Sequence, residues 1–208
     1  MIGSIVIAAA IGLTAPVKAE PSGSPARWVR ASDLPQSKDQ ATVTTFDLMI
    51  DQTGRPIQCT VVTASGSDHL DSAVCAAVMK RARFKPAKDA ADAPIPSVYR
   101  DRVLWLPNAY GPNQWIKTPD IVVSTPIITN RLTDVADVVV LVDSTGAVDE
   151  CFIADSVGSA ALDELACSVV RSSQISPPIT DAQGAVVRGV RSFYVGFRPN
   201  AVSGVEIK

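Results

Sequence analysis

The chain repeats itself at one fixed offset. The stretch "DQTGRPIQC" at 51–59 recurs as "DSTGAVDEC" at 143–151, which is an offset of 92 residues (143 − 51). The same offset relates positions 46–108 to the second half of the chain without a gap. A self-match of this length at a single period indicates two copies of one structural unit, and it has to be settled before any fold is assigned.

Each copy begins with a pattern that is typical of a β-hairpin. In the first copy, Phe46, Leu48 and Ile50 alternate with other residues, as expected for a strand with one buried face. The stretch "DQTG" then predicts a turn, because the Asp51 side chain can accept hydrogen bonds from the backbone ahead of it and Gly54 tolerates a positive φ. The following "IQCTVV" is predicted to return as an antiparallel second strand.

A helix and a third strand follow the hairpin. The segment "SGSDHLDSAVCAAVMKRARF" predicts a helix that Ser67 or Asp68 can cap. Its apolar residues fall on one stripe: Leu70, Val74, Ala77 and Val78. After a proline-rich loop, 97–105 reads as a third strand. The predicted fold class is therefore α+β, with two tandem β-β-α-β units, each a three-stranded antiparallel sheet packed on one helix.

The repeat, together with the linker residues between its copies, sets the predicted domain boundaries. They are a signal peptide at 1–19, a lead-in segment at 20–41, a first domain at 42–107, a linker with the lead-in of the second copy at 108–134, a second domain at 135–199 and a tail at 200–208.

The N-terminal residues predict export. An apolar run at 5–13 is shorter than the roughly 20 residues that span a bilayer. Small residues at Val17 and Ala19, just ahead of Glu20, are typical of a signal-peptidase site. We therefore expect a cleaved signal rather than a retained anchor, and a periplasmic protein.

The cysteines recur with the repeat. Each copy holds two, 16 residues apart (75 − 59 and 167 − 151): Cys59, Cys75, Cys151 and Cys167. Four cysteines allow three pairings, and the repeat favours Cys59 with Cys75 and Cys151 with Cys167, because each unit then closes its own bridge. Metal binding is the rival interpretation, but the chain has no C-x-x-C pair and a single histidine, His69. We expect no metal and no cofactor.

Charge argues against nucleic acid as a partner. The formal net charge is −2, and the one basic cluster, "KRARFKPAK" at 80–88, falls at the end of the predicted helix, where the helix dipole favours cations. The paired aspartates at 51 and 143, and at 71 and 163, sit at turns or helix starts, where Asp has a local backbone role. His69 has no nucleophile arrangement beside it. The sequence predicts no catalytic residues, no enzyme activity and no small-molecule substrate.

One family resemblance accounts for most of the first copy. The segment "IDQTGRPIQCTVVTASGSDHLDSAVCAAVMKRARFKPA" resembles the C-terminal domain of the TonB family. The residues that carry the resemblance are Gly54, Ser65, Gly66, Leu70, Asp71, Arg83, Phe84, Pro86 and Ala87. The second copy keeps Gly146, Gly158, Leu162, Asp163 and Pro178, but it has Ile175 and Ser176 where the family has "RF", so it looks like a diverged copy.

The resemblance implies a function and a binding mode. Family members couple inner-membrane energy to transport across the outer membrane, and their C-terminal domain adds a short receptor segment as a strand beside its exposed third strand. Carried over, the partner-binding edge is 97–105 in the first copy and 189–197 in the second. In the first copy we expect it to include Val98, Arg100, Arg102 and Leu104. The implied partner is a protein, either an outer-membrane receptor segment or another envelope protein.

Two functions remain open at this point. The first is a TonB-like binding protein that recognises TonB-dependent receptors by strand addition, in connection with transmembrane transport. Only "EPSGSPAR" separates the predicted cleavage site from Trp28, so we expect neither the anchor nor the long spacer of the family's transducers. The alternative is a structural envelope protein whose edges pair internally or in a homodimer.

Overall fold

The computed structural model describes residues 15–33, 42–106, 109–112, 118–127, 135–173 and 178–199. Three predicted features lie outside these described residues: the apolar run at 5–13, the tail at 200–208, and Ile175 and Ser176, which stand where the TonB family has "RF".

Strands dominate the described chain, and a helix follows each of two hairpins. The prediction of an α+β fold is confirmed. In chain order the elements are β1 (Glu20–Pro21), β2 (Thr42–Ile50), β3 (Pro56–Thr63), α1 (Asp68–Arg81), β4 (Phe84–Lys85), β5 (Ala87–Lys88), β6 (Pro94–Ile95), β7 (Ser97–Leu106), β8 (Ala109–Pro112), β9 (Ile121–Thr125), β10 (Val135–Val142), β11 (Val148–Asp155), α2 (Ala160–Ser172) and β12 (Gly189–Pro199), with short 3-10 helices at Pro25–Arg27 and Ala31–Asp33.

The hairpin turn has the same geometry in both halves of the chain. A carboxylate oxygen of Asp51 accepts hydrogen bonds from the backbone N–H groups of Thr53 at 2.8 Å and Arg55 at 2.9 Å. Asp143 accepts one from the N–H of Thr145 at 2.7 Å in the same way. In each half the first strand pairs antiparallel with both the second and the third. The repeated turn sequence therefore encodes a repeated backbone structure.

The two halves share one sheet. Its strand order is β11-β10-β12-β7-β2-β3, with β8 added to β7 and β9 added to β12. The halves join where β12 runs parallel to β7, with Val190 opposite Ser97 and Arg191 opposite Val98. The expectation of two separate three-stranded sheets is corrected here. Each third strand would otherwise expose a row of unpaired backbone N–H and C=O groups. Pairing with the third strand of the other half provides partners for some of these groups.

The helices cover opposite faces of this sheet. Successive strand residues point to alternate faces of the sheet. The buried residues therefore form two hydrophobic cores, one on each face. The core under α1 includes Phe46, Leu48 and Ile50 of the first half with Val139, Leu141 and Val190 of the second. The core under α2 includes Val138, Val140 and Val142 with Met49 and Val98 of the first half. Strands β2 and β10 are consequently buried on both faces, which explains the nearly unbroken apolar run in β10.

Both predicted disulfides are present. Cys59 bonds to Cys75 with a Cα–Cα distance of 5.6 Å, and Cys151 bonds to Cys167 with 5.8 Å. Each bridge connects the outer strand of a hairpin to the helix that follows it. The helix of each half is thus held against its own hairpin.

The two hairpin-turn glycines differ in what surrounds them. Gly54 has φ +81°, and a Cβ there would lie 2.0 Å from the Phe84 carbonyl oxygen, whereas Gly146, with φ +88°, has open space around it. We expect Gly146→Ala to lower the free energy of unfolding by about 1–2 kcal/mol, the cost of a left-handed conformation. Gly54→Ala should cost about 1–3 kcal/mol more, because the turn must also move off Phe84. Chemical denaturation of both variants measures the difference, and equal losses would contradict the role of this contact.

Candidate functional site

The third strands of the two halves lie side by side only at their first residues. After Arg191 opposite Val98, no further β7–β12 pairs occur in the described chain. Farther along, β7 pairs with β8 from Val103 onward, and β12 pairs with β9 from Val195 onward. We call the place where they separate, residues 99–102 of β7 and 192–194 of β12, the fork.

A cavity of about 520 Å³ lies at the fork. Its walls include residues 99–102 of β7, the end of β3 at Val62 and Thr63, and the loop residue Asp120. The N-terminal segment 18–21 forms a further wall. Polar, aromatic and apolar groups thus surround the space where β7 and β12 separate.

A buried charge cluster ties the two halves together beside the cavity. Asp47 accepts hydrogen bonds from Arg100 Nε at 2.6 Å and Nη2 at 2.9 Å, and from Arg191 Nη2 at 2.6 Å. Arg100 also donates to Asp120 at 2.9 Å. Asp47 and Arg191 are each 3 % exposed. Because a buried charge is tolerated only when it is paired, these contacts fix the halves relative to one another.

The cluster is suited to structure rather than to proton transfer. Burial lowers the pKa of Arg191, against the attraction of Asp47. Burial acts in the same direction on Arg100, but its hydrogen bonds to Asp47 and Asp120 outweigh that effect and raise its pKa. Arginine starts from so high a pKa that both groups stay charged at neutral pH. A carboxylate already engaged by two guanidinium groups is poorly placed to act as a base.

Tyr99 and Asp101 lie at the fork and are largely buried. Burial raises the pKa of both side chains, and the Tyr99 hydroxyl donates to Asp101 Oδ2 at 3.3 Å. The Tyr99 ring packs against Trp28 and Phe84, with centroid distances of 5.8 and 4.9 Å. This aromatic group anchors one wall of the cavity.

The N-terminal segment brings a cation to a second buried carboxylate. Lys18 forms an ion pair with Asp137 Oδ2, and Asp137 is 5 % exposed. The other oxygen, Oδ1, has no hydrogen-bond partner among the described residues. The ammonium also lies 5.8 Å from the centroid of the Tyr194 ring. Sequence reasoning missed this pair, although a lone aspartate within the apolar run "VADVVVLV" was a usable signal.

Comparison with known families identifies the domain around the fork. Residues 35–100 match the family model described as Gram-negative bacterial TonB protein C-terminal. This part of the chain is a TonB C-terminal domain. Such domains are protein-interaction domains of the cell envelope and form a non-enzymatic family. No curated protein and no solved structure matches the chain at a significant level.

The TonB C-terminal domain does not leave its third strand open along its length. Val98 pairs with Arg191 of β12, and Leu104 pairs with Gly111 of β8. The expectation of an exposed third strand is therefore corrected at both ends of β7. The physical reason is that the second half and the linker supply the missing neighbours. Arg100 and Arg102 lie between these contacts, at the fork, and a partner-binding role for the four residues stays a prediction.

The third strand of the second half is similarly occupied. Within the predicted edge 189–197, Val190 and Arg191 pair with β7, and Val195 to Phe197 pair with β9. Between these contacts lie the fork residues 192–194, of which Tyr194 accepts a hydrogen bond from the Asp120 N–H at 2.7 Å and donates its own N–H to Asp120 Oδ2 at 2.8 Å.

An acidic residue in the first turn of each helix, Asp71 in α1 and Asp163 in α2, has a structural role. Asp71 accepts hydrogen bonds from Thr44 Oγ1 at 2.6 Å and from the Ser65 N–H at 3.1 Å. Asp163 accepts one from Ser156 Oγ at 2.5 Å. These contacts tie each helix start to the preceding loop, which agrees with the local role expected from the sequence.

Two other features are absent from the described part of the chain. No cluster of three or more His, Cys, Asp or Glu side chains in it is arranged to hold a metal ion. None of its helices combines the length and the apolar character that a membrane crossing requires.

Proposed function

We propose that the chain is a non-enzymatic, periplasmic, TonB-like binding protein that recognises an extended segment of another envelope protein at the fork. The observation that carries this proposal is the cavity beside residues 99–102. Within this stretch, residues 99–101 of β7 pair with β2 on one side, and no described strand pairs with them on the other. Strand addition requires such a free stretch of backbone.

The length of this stretch of β7 determines how a partner strand would enter. This stretch of β7 is three residues long, because the Arg102 N–H already donates to Asp101 Oδ1 at 2.8 Å, and β8 continues the same edge with pairs from Val103 to Leu106. A partner segment therefore starts at the fork and extends only by displacing β8. Short edge strands are the parts of a fold that open at low free-energy cost. Recognition of TonB-dependent outer-membrane receptors, in support of transport, is the specific form of this proposal.

We also infer that the second half is a diverged copy of the first and that the protein is exported. The repeat offset, the common order of elements and the equivalent disulfide support the first inference. The disulfides support the second, because they persist in oxidising compartments such as the periplasm.

A second candidate function follows from the closed third strands. Because β7 and β12 pair with each other at their first residues and with β8 and β9 farther along, the chain has used much of its TonB-like edge internally. A structural envelope protein that self-associates would then use the outermost described strands, β3 and β11. The first proposal predicts a monomer that captures a different protein, and this alternative predicts a homodimer.

A photo-cross-linking amino acid in the full exported chain separates these functions. Val62 lines the cavity and is 45 % exposed. Ala154 lies at the matching position of the second half, is exposed and lies outside the cavity wall. We expect an adduct with an envelope protein from position 62 and none from position 154.

Two results would go against the binding proposal. Equal adducts from both positions, or none from position 62, would remove the fork as the binding place. An adduct with the mass of two copies, together with a dimer in light scattering, would favour self-association instead.

A further inference from the structure

We propose that the chain contains a groove for a lysine-bearing extended segment, which its own residues 16–19 fill in the structure and a partner protein's segment fills after export. This inference rests on the proposed function, since Lys18 and Ala19 also line the cavity at the fork. It adds a second stretch of backbone, 84–88, for the bound segment and names the chemistry of that segment.

The backbone of the N-terminal segment is held as an added strand. The Val17 N–H donates to the Lys88 carbonyl oxygen at 2.9 Å, and the Lys88 N–H donates back to Val17 at 2.9 Å. Next along the chain, β1 pairs antiparallel with β4, with Glu20 opposite Lys85. These are the main-chain contacts that strand addition provides for any sequence. Residues 84–88 thus form the floor of the groove.

The side chains of the same segment supply the specificity. Pro16 is buried, and Ala19 is 6 % exposed and belongs to the core under α1. Lys18 points instead to Asp137, which is contributed by β10 of the other half. The groove therefore accepts small apolar residues on either side of one lysine.

Asp137 makes the site selective for a cation. A buried carboxylate without a positive partner is costly, and Lys18 is the cation that the described structure places on it. The second oxygen of Asp137 remains without a hydrogen-bond partner in the described chain. An ammonium group carries three donors, and the face of Tyr194 near the ammonium provides cation–π attraction.

Signal-peptide cleavage at the predicted site would empty this groove. Cleavage after Ala19 removes Val17, Lys18 and Ala19 but leaves β1 paired with β4. Residues 84–88 then stay in place, while Asp137 loses the Lys18 ammonium group. A segment of another envelope protein with a lysine between small residues restores both sets of contacts.

The first measurement is the intact mass of the full chain after export. We expect a mature protein that begins at Glu20. A mature protein that retains residues 17–19 would overturn the proposal, because the groove would then be permanently filled.

The second measurement is calorimetric titration of this exported protein with end-blocked peptides. One is Ala-Pro-Val-Lys-Ala, the sequence of residues 15–19, and the matched peptide has norleucine in place of lysine. We expect the lysine peptide to bind about tenfold more tightly, as a charge-assisted hydrogen bond allows. Equal affinities, or no binding of either peptide, would overturn the proposal. This comparison uses the unaltered protein, so it does not depend on how any variant folds.

Two variants test whether Asp137 causes the preference for the lysine peptide. Asp137→Asn should abolish the preference for lysine, whereas Asp149→Asn, at an exposed carboxylate that contacts Arg188, should keep it. A preference that survives Asp137→Asn would place lysine recognition elsewhere and overturn the assignment.

The two proposals can fail separately. Equal peptide affinities together with a cross-link from position 62 would refute lysine recognition and leave envelope-protein binding in place. A lysine preference without any cross-link would support the groove and refute the envelope-protein function.

Discussion

Replacing Asp47 by alanine should lower the free energy of unfolding by about 3–5 kcal/mol, the usual cost of breaking a buried ion pair from one side. The variant leaves Arg191, which is 3 % exposed, without its carboxylate. It also removes two of the hydrogen bonds of Arg100. Because the two arginines come from different halves, the loss should loosen the junction at the fork. Urea denaturation followed by circular dichroism measures the effect.

An exposed ion pair provides the control for this prediction. Asp149 contacts Arg188 at 3.2 Å, and the two side chains are 50 % and 42 % exposed. Asp149→Ala should cost less than about 1 kcal/mol, because water and salt already screen such pairs. If Asp47→Ala cost no more than Asp149→Ala, the cluster would not be holding the halves together.

The second large effect is expected from the disulfides. Replacing both Cys59 and Cys75 by serine should destabilise the protein by about 3 kcal/mol, since a bridge over a loop of this size restricts the unfolded chain to that extent. Each bridge spans 16 residues. The corresponding change at Cys151 and Cys167 should therefore cost a similar amount. Denaturation midpoints under oxidising conditions test both variants.

A reducing agent provides the matched control. It should bring the unaltered protein to the stability of a variant that lacks all four cysteines, and it should leave that variant unchanged. A loss below about 1 kcal/mol for either pair would show that the helix of that half is held by packing alone.

Local features of the chain were predictable because short-range rules fix them. The alternation of Phe46, Leu48 and Ile50 indicated a strand, and the turn at Asp51 followed from its side-chain chemistry. The helix cap was predictable as well, and Ser67 Oγ accepts a hydrogen bond from the Leu70 N–H at 3.4 Å. The disulfide pairing followed from the repeat, since it has the same spacing in both copies.

The candidate site was predictable only in part. The sequence placed Arg100 and Arg102 on a third strand and gave that strand a binding role through the family resemblance. It gave no indication that Arg100 shares Asp47 with Arg191, which is 91 residues away (191 − 100). The N-terminal segment was assigned to the signal peptide, so the contact between Lys18 and Asp137 was missed.

The sequence by itself determined the repeat, the strands and helices within each copy, the cysteine pairs and the resemblance of the first copy to the TonB C-terminal domain. The tertiary structure alone decided which edges meet: β12 against β7, β8 and β9 along their free sides, and the N-terminal segment along 84–88. Periodicity and turn chemistry reside in side chains and can be read locally. Edge pairing uses backbone N–H and C=O groups, which nearly every residue carries alike, so no local pattern marks where one edge finds another.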